Sequence, residues 1–202
     1  MTDIDSIPDV GKRALEHVFE DLKIVHEPDT LWLEFGVFNG STINYISGFT
    51  ENEVFGFDSF EGLPEKWRDG YDAGFFDLRG NLPRVRENVR LIKGWFSDTL
   101  GPFFEECKDK KVAFAHIDCD LYSSTKCILE FLKTRMKDDC IVVFDELVNY
   151  PGYDGDTGEL KAWNEFITEN KVEWEWIGMY GKPRGMIGAQ HESVAVRVKH
   201  VG

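Results

Sequence analysis

The chain has 202 residues, with 23 Lys and Arg against 37 Asp and Glu, so its formal net charge is −14 at pH 7. A surface this acidic repels phosphate backbones and anionic lipid, which argues against a nucleic-acid or membrane-surface partner. Hydrophobic residues at 42% and aromatics at 14% suffice for the core of one α/β domain over residues 1–202.

No apolar run reaches the ~20 residues that span a bilayer. The start, MTDIDSIPDV, lacks a basic region followed by an apolar one, so no secretory signal is expected and the location is read as cytoplasmic. Cys107, Cys119, Cys127 and Cys140 form no C-x-x-C pair, which fits free thiols better than a zinc site.

A helical extension (residues 1–28) leads the chain. Val10, Ala14, Val18 and Leu22 recur every four residues, which predicts a helix from about Asp9 to Val25. The first core strand is Leu31 to Phe35. A turn follows, Gly36-Val37-Phe38-Asn39-Gly40, with a helix from Ser41. The second strand, Val54 to Phe57, ends at Asp58. Residues 59–83 carry glycines, acids and the aromatics Trp67, Tyr71, Phe75 and Phe76, and read as a lid or substrate loop. Val89 to Ile92 is a third strand, ending in Lys93-Gly94-Trp95-Phe96. Val112 to Ile117 is the fourth, ending at Asp118, with a helix from Ser123 to Arg135. Ile141 to Phe144 is the fifth, ending at Asp145, with a helix over Gly158 to Thr168. Val172 to Ile177 and Met186 to Val198 read as an antiparallel pair at the end of a mostly parallel sheet.

In such a sheet, ligands sit outside the carboxyl ends of the strands. Asp58, Asp118 and Asp145 should therefore converge on one pocket with the glycine turn. Any one of them alone could equally cap a helix or shape a turn. The spacing of the first turn is G-x-x-x-G, and Phe38 stands where a dinucleotide fold needs a second glycine, which speaks against a pyrophosphate. Glu34 could accept from an ammonium, and N–H groups at the next helix could take a carboxylate. Asp58 stands where an acid can hold ribose hydroxyls, and Trp95-Phe96 could flank an adenine. An amino-acid tail with a ribose describes S-adenosylmethionine. Asp154 and Asp156 suggest a calcium loop but lack its terminal Glu, so they read as a solvated loop.

The strings EFGVFNGST, GFDSFEGLPE, KGWFSDTL and HIDCDLYSST resemble the macrocin O-methyltransferase (TylF-type) family of class I methyltransferases, from about Leu31 to Tyr150. The resemblance implies a Rossmann-like seven-stranded sheet of order 3-2-1-4-5-7-6, its last strand antiparallel. It implies S-adenosylmethionine as donor, a small-molecule hydroxyl acceptor of sugar or phenolic type, and a divalent metal such as Mg2+. By position, Glu34, Gly36, Phe38, Asn39, Gly40 and Ser41 match the methionine-binding turn. Asp58 and Ser59 match the ribose site, and Gly94, Trp95 and Phe96 the adenine side. Asp118, also a donor-site and catalytic candidate, would hold the metal with Asp145 and Glu146. The family often has Asp-Asp-Tyr where this chain has Asp145-Glu146-Leu147.

An alcohol is a weak nucleophile and needs a base or a metal. Asp120 and His116 are the candidate bases, although His116 also suits the core and Asp120 a helix cap. Three other readings stay open: a methyltransferase without metal, a nicotinamide-dependent oxidoreductase, and a nucleoside-binding module without catalysis. The aromatics of the leading helix and of residues 59–83 could serve a homodimer.

Overall fold

Seven strands form one sheet: β1 (Thr30–Phe35), β2 (Val54–Asp58), β3 (Val89–Lys93), β4 (Lys111–Ile117), β5 (Met136–Phe144), β6 (Glu173–Met179) and β7 (Val194–His200). Their order is β3-β2-β1-β4-β5-β7-β6. Strands β1 to β5 pair in parallel, and β7 runs antiparallel to β5 and β6, so the expected Rossmann-like order holds. The computed structural model describes residues 2–186 and 188–202. No helix among them is long and apolar enough to cross a membrane, and all four cysteines are free.

All six residues of β1 are buried, as a central parallel strand covered on both faces requires. Alternation then sorts the side chains. Leu31, Leu33 and Phe35 pack with Leu100, Ile128 and Trp163, which belong to α3 (Phe96–Glu106), α4 (Tyr122–Leu132) and α5 (Gly158–Glu169). Trp32, Phe114 and Val143 pack on the other face with Ala14, Val18 and Ile43, from the leading segment and α2 (Ser41–Ser47). The same period of two places Glu34, His116 and Asp145 on that second face, at the carboxyl edge of three adjacent strands.

Three elements depart from expectation. The leading helix is only α1 (Ala14–Glu16) continued by a π-helical turn over His17–Asp21. Residues before it are spent elsewhere: Val10 N–H donates to Met179 O, and Met179 N–H to Pro8 O, extending the edge of β6. The Asp9 carboxylate accepts from Gly11 and Gly181 N–H. Ala14 and Val18 are buried as predicted, but Leu22 is exposed. Secondly, α4 stops at Leu132 and β5 starts at Met136, whose partner is Val112; the pairing shifts register before Ile141 meets Phe114. Thirdly, Met186 is exposed and lies outside β7, which begins only at Val194.

Residues 59–83 contain no helix and only isolated bridges, Glu61 with Asp77 and Arg68 with Tyr71. The loop is nevertheless tied to itself. Leu63 N–H donates to Phe75 O, Gly74 N–H to Leu63 O, and Leu78 and Gly80 N–H to Phe60 O. Gly62 makes this fold possible: its φ is +79°, and a Cβ there would stand 2.5 Å from Phe75 O. The Ser123 hydroxyl of α4 donates to Glu65 Oε1 at 2.6 Å and tethers the loop from outside.

Candidate active site

The turn after β1 is built by close approach. Gly36 has φ +89°, and a Cβ there would lie 1.7 Å from the carbonyl oxygen of Asp118. Only glycine allows β1 and β4 to end this close together. Asp58 at the end of β2 then fixes the turn. Its Oδ2 accepts from Val37 and Phe38 N–H, both at 2.8 Å, and its Oδ1 from Phe60 N–H at 2.7 Å. One carboxylate thus joins the β1 turn to the 59–83 loop. Asn39 Oδ1 accepts from Ser41 N–H at the start of α2.

A cavity of about 330 Å3 opens between this turn and the 59–83 loop. Gly36, Phe38, Asp58, Ser59, Gly94, Trp95 and Phe96 line one part of it; Asp118, Asp120 and Glu146 also reach it. Phe38 has φ +45° and meets Phe76 of the loop edge-on at 5.1 Å between ring centres. Asn39, Gly40 and Ser41 shape the turn but do not line the cavity, and neither does Asp145.

Glu34 and His116 are both fully buried and do not line the cavity. His116 Nδ1 is 3.0 Å from Glu34 Oε1, and its Nε2 is 3.5 Å from Asp145 Oδ1. Burial works against a charge on this imidazole, but Asp145 and Glu34 outweigh it and hold His116 well above its ordinary range. Neither candidate lines the cavity: Glu34 spends one oxygen on His116, and His116 lies between Glu34 and Asp145.

Asp118, Asp145 and Glu146 bring one ligand oxygen each within 4.8 Å of one another. Burial, then Asp145, pushes Asp118 well up. Burial also raises Glu146, with Asp145 and Asp118 adding to it. Burial opposes the charge of Asp145 too, yet His116 keeps its carboxyl below the usual range. Packed carboxylates of this kind call for a counter-charge. Hard oxygens suit a divalent cation such as magnesium, and Glu146 Oε2 is buried without a hydrogen-bond partner, so the residues present fit one. Behind them, fully buried Glu159 accepts from Glu146 N–H at 3.3 Å.

Asp120 lines the cavity, is 6% exposed, and has a strained backbone with φ +63°. Burial raises its carboxyl to about 7, while Arg68 pulls it down. Trp67 and Tyr71 of the expected lid line this cavity, and so do Arg68 and Glu192, which sequence reasoning missed. The signal for Glu192 was available: it precedes an antiparallel strand, whose beginning lies at the edge where the parallel strands end.

A family model described as a methyltransferase domain matches residues 33–147, more than half of the chain. The chain belongs to the methyltransferase-domain family. A Streptomyces olivaceus protein named as an 8-demethyl-8-(2,3-dimethoxy-alpha-L-rhamnosyl)-tetracenomycin-C 4'-O-methyltransferase is 28% identical over 138 residues, covering 56% of this chain and 51% of that protein. The chain thus spans about half the length of this relative. Among solved structures, the O-methyltransferase NovP superposes with a TM-score of 0.59 at 21% identity, covering 94% of this chain and 77% of that one. The calicheamicin methyltransferase CalS11 gives 0.57 at 21% identity, covering 91% and 75%. A Bacillus cereus O-methyltransferase in complex with SAH gives 0.54 at 15% identity, covering 92% and 79%. At these identities the likeness is one of fold.

Proposed function

We propose that this chain transfers the methyl group of S-adenosylmethionine to a hydroxyl of a sugar or similar small molecule, beside a divalent cation. One observation carries the reading: a single cavity joins the β1 turn, Asp58 and Gly94 to Phe96 with the acids at the ends of β4 and β5. Gly36, Phe38, Asp58, Ser59 and Gly94 to Phe96 would bind the donor. The acidic lining favours a sulfonium over the neutral thioether that remains after transfer, so binding is strongest before reaction. Asp58 keeps an oxygen lone pair toward the cavity beyond its backbone bonds, which suits a ribose hydroxyl.

Asp118, Asp145 and Glu146 would hold the cation, which when bound lowers the pKa of a nearby hydroxyl and orients it. Asp120, raised to about 7, would take the hydroxyl proton. The 59–83 loop covers the reactants and excludes water. Methyl transfer is an in-line displacement, and much of its acceleration can come from holding donor and acceptor at attack distance. The sugar acceptor is suggested by the rhamnosyl compound in the name of the Streptomyces olivaceus relative.

The test is direct. Calorimetry should find S-adenosylhomocysteine binding and no NAD binding, and mass spectrometry should find a methylated product from a panel of glycosides and phenols. Binding of NAD in place of S-adenosylhomocysteine overturns the proposal. Turnover undiminished by EDTA removes the cation from it.

A further inference from the structure

We propose that Arg68 and Glu192 form a specificity pair for the acceptor, holding neighbouring oxygens of an uncharged polyhydroxylated molecule; this rests on the function proposed above. Arg68 comes from the 59–83 loop and Glu192 from the residues just before β7, and both line the cavity that holds Asp120 and Glu146.

The Arg68 guanidinium lies over Trp67 at 3.7 Å and over Tyr71 at 4.6 Å from the ring centres. Two rings fix its plane, and Trp67 N–H donating to Tyr71 O fixes the rings relative to each other. Its Nε and Nη1 are shielded from solvent and have no hydrogen-bond partner. Among the described residues, no carboxylate comes within ion-pair distance of it. A shielded cationic donor left unpaired is costly, and it stabilises nothing in the protein's own backbone. Such a group is placed for a ligand oxygen.

Glu192 is its counterpart. It is 4% exposed, and its backbone carbonyl accepts from Leu147 and Val148 N–H, which locks it against the β5 end. Its carboxylate makes no hydrogen bond among the described residues. Arg68, Glu192 and Asp120 all line the one cavity. A guanidinium can only donate and a carboxylate can only accept. A hydroxyl beside another oxygen satisfies both at once.

Charge decides what the acceptor is. Asp58, Asp118, Asp120, Glu146 and Glu192 line the cavity, and Arg68 is the one Lys or Arg among its lining residues. Even with Arg68 and a bound divalent cation set against them, these five carboxylates leave the lining net negative, which opposes an anionic acceptor. An uncharged polyol suits the site.

The experiment uses the full chain with magnesium and S-adenosylhomocysteine. Calorimetry measures binding of p-nitrophenyl α-L-rhamnoside, uncharged, and of dTDP-L-rhamnose, anionic. The unaltered protein should bind the uncharged glycoside at least as well. Arg68→Gln and Glu192→Gln should each weaken glycoside binding about ten- to a hundredfold, the loss of a charged hydrogen bond. Arg68→Lys should restore part of it. S-adenosylhomocysteine affinity should not move in any variant. Glycoside affinity unchanged in both variants overturns the pair, as does no glycoside binding by unaltered protein that binds S-adenosylhomocysteine. Preference for the anionic sugar that disappears in Arg68→Gln makes Arg68 an anion site and overturns it too. Loss of S-adenosylhomocysteine affinity in step with the glycoside makes both residues structural. Failure of the unaltered protein to bind S-adenosylhomocysteine instead overturns the methyltransferase reading itself.

Discussion

The two ends of the cavity are built on opposite terms. In the β1 turn Asp58 alone accepts three backbone N–H groups, although Glu34 Oε2 and His116 Nε2 nearby lack a hydrogen-bond partner. Around Glu146 and Arg68, buried polar atoms are left without one. A satisfied network is rigid before any ligand arrives. Unsatisfied groups hold free energy that only a ligand can recover. The first end is therefore fixed scaffold for a constant donor, and the second is where cation and acceptor complete the structure.

The largest expected effect tests the rigid end. Gly36→Ala puts a Cβ 1.7 Å from Asp118 O, at a φ that an L residue rarely adopts. Backbone on both sides cannot yield cheaply. The variant should lose more than about 3 kcal/mol of stability by chemical denaturation, or fail to fold. A well-folded Gly36→Ala protein with normal S-adenosylhomocysteine affinity would break the claim that this end is preset.

Asp58→Ala comes next. It strands three N–H donors, those of Val37, Phe38 and Phe60. Val37 is buried, so part of that loss is not made good by water. Stability should fall by about 1–3 kcal/mol, and S-adenosylhomocysteine affinity should fall with it. Asp58→Asn keeps one acceptor oxygen and should lie between.

These two residues also show what could be read without coordinates. The strand order and the acids closing β2, β4 and β5 were legible, because parallel strands covered on both faces announce themselves as apolar runs with a polar residue at the end. Glu34 pairs with His116 and does not line the cavity, which reading a strand-end acid toward the ligand does not foresee. Counting in twos along β1, β4 and β5 puts Glu34, His116 and Asp145 on one face, where they meet one another. The leading helix failed for a different reason. Residues 8–10 pair with the end of β6, some 170 positions away in the chain, and no local pattern reports that competition. Arg68 was hidden by its loop, since nothing in an irregular segment tells which of Lys66, Arg68 and Arg79 turns inward.

A cation tests the unsatisfied end. Magnesium at about 100 times its Kd should add roughly 2.7 kcal/mol to the folded state, seen as a rise of several degrees in Tm. EDTA should reverse it. Asp145→Asn should abolish the rise while leaving the effect of S-adenosylhomocysteine in place. Equal magnesium stabilisation of both proteins would mean that Asp118, Asp145 and Glu146 do not bind the ion.

The smallest effect concerns the tether between the two ends. Ser123→Ala removes the hydrogen bond to Glu65, the contact from α4 that anchors the 59–83 loop. Both residues are exposed, so global stability should change by less than about 0.5 kcal/mol. The loop carries Arg68 toward the cavity, however, and a looser loop must be ordered again when an acceptor binds. Glycoside affinity should therefore fall a few-fold while S-adenosylhomocysteine affinity, set by the self-bonded turn and Asp58, stays constant. An equal fall in both would join the two ends into one mobile unit. No fall in either would show that the loop's internal bonds, from Phe60 to Gly80 and from Leu63 to Gly74 and Phe75, already hold Arg68 in place.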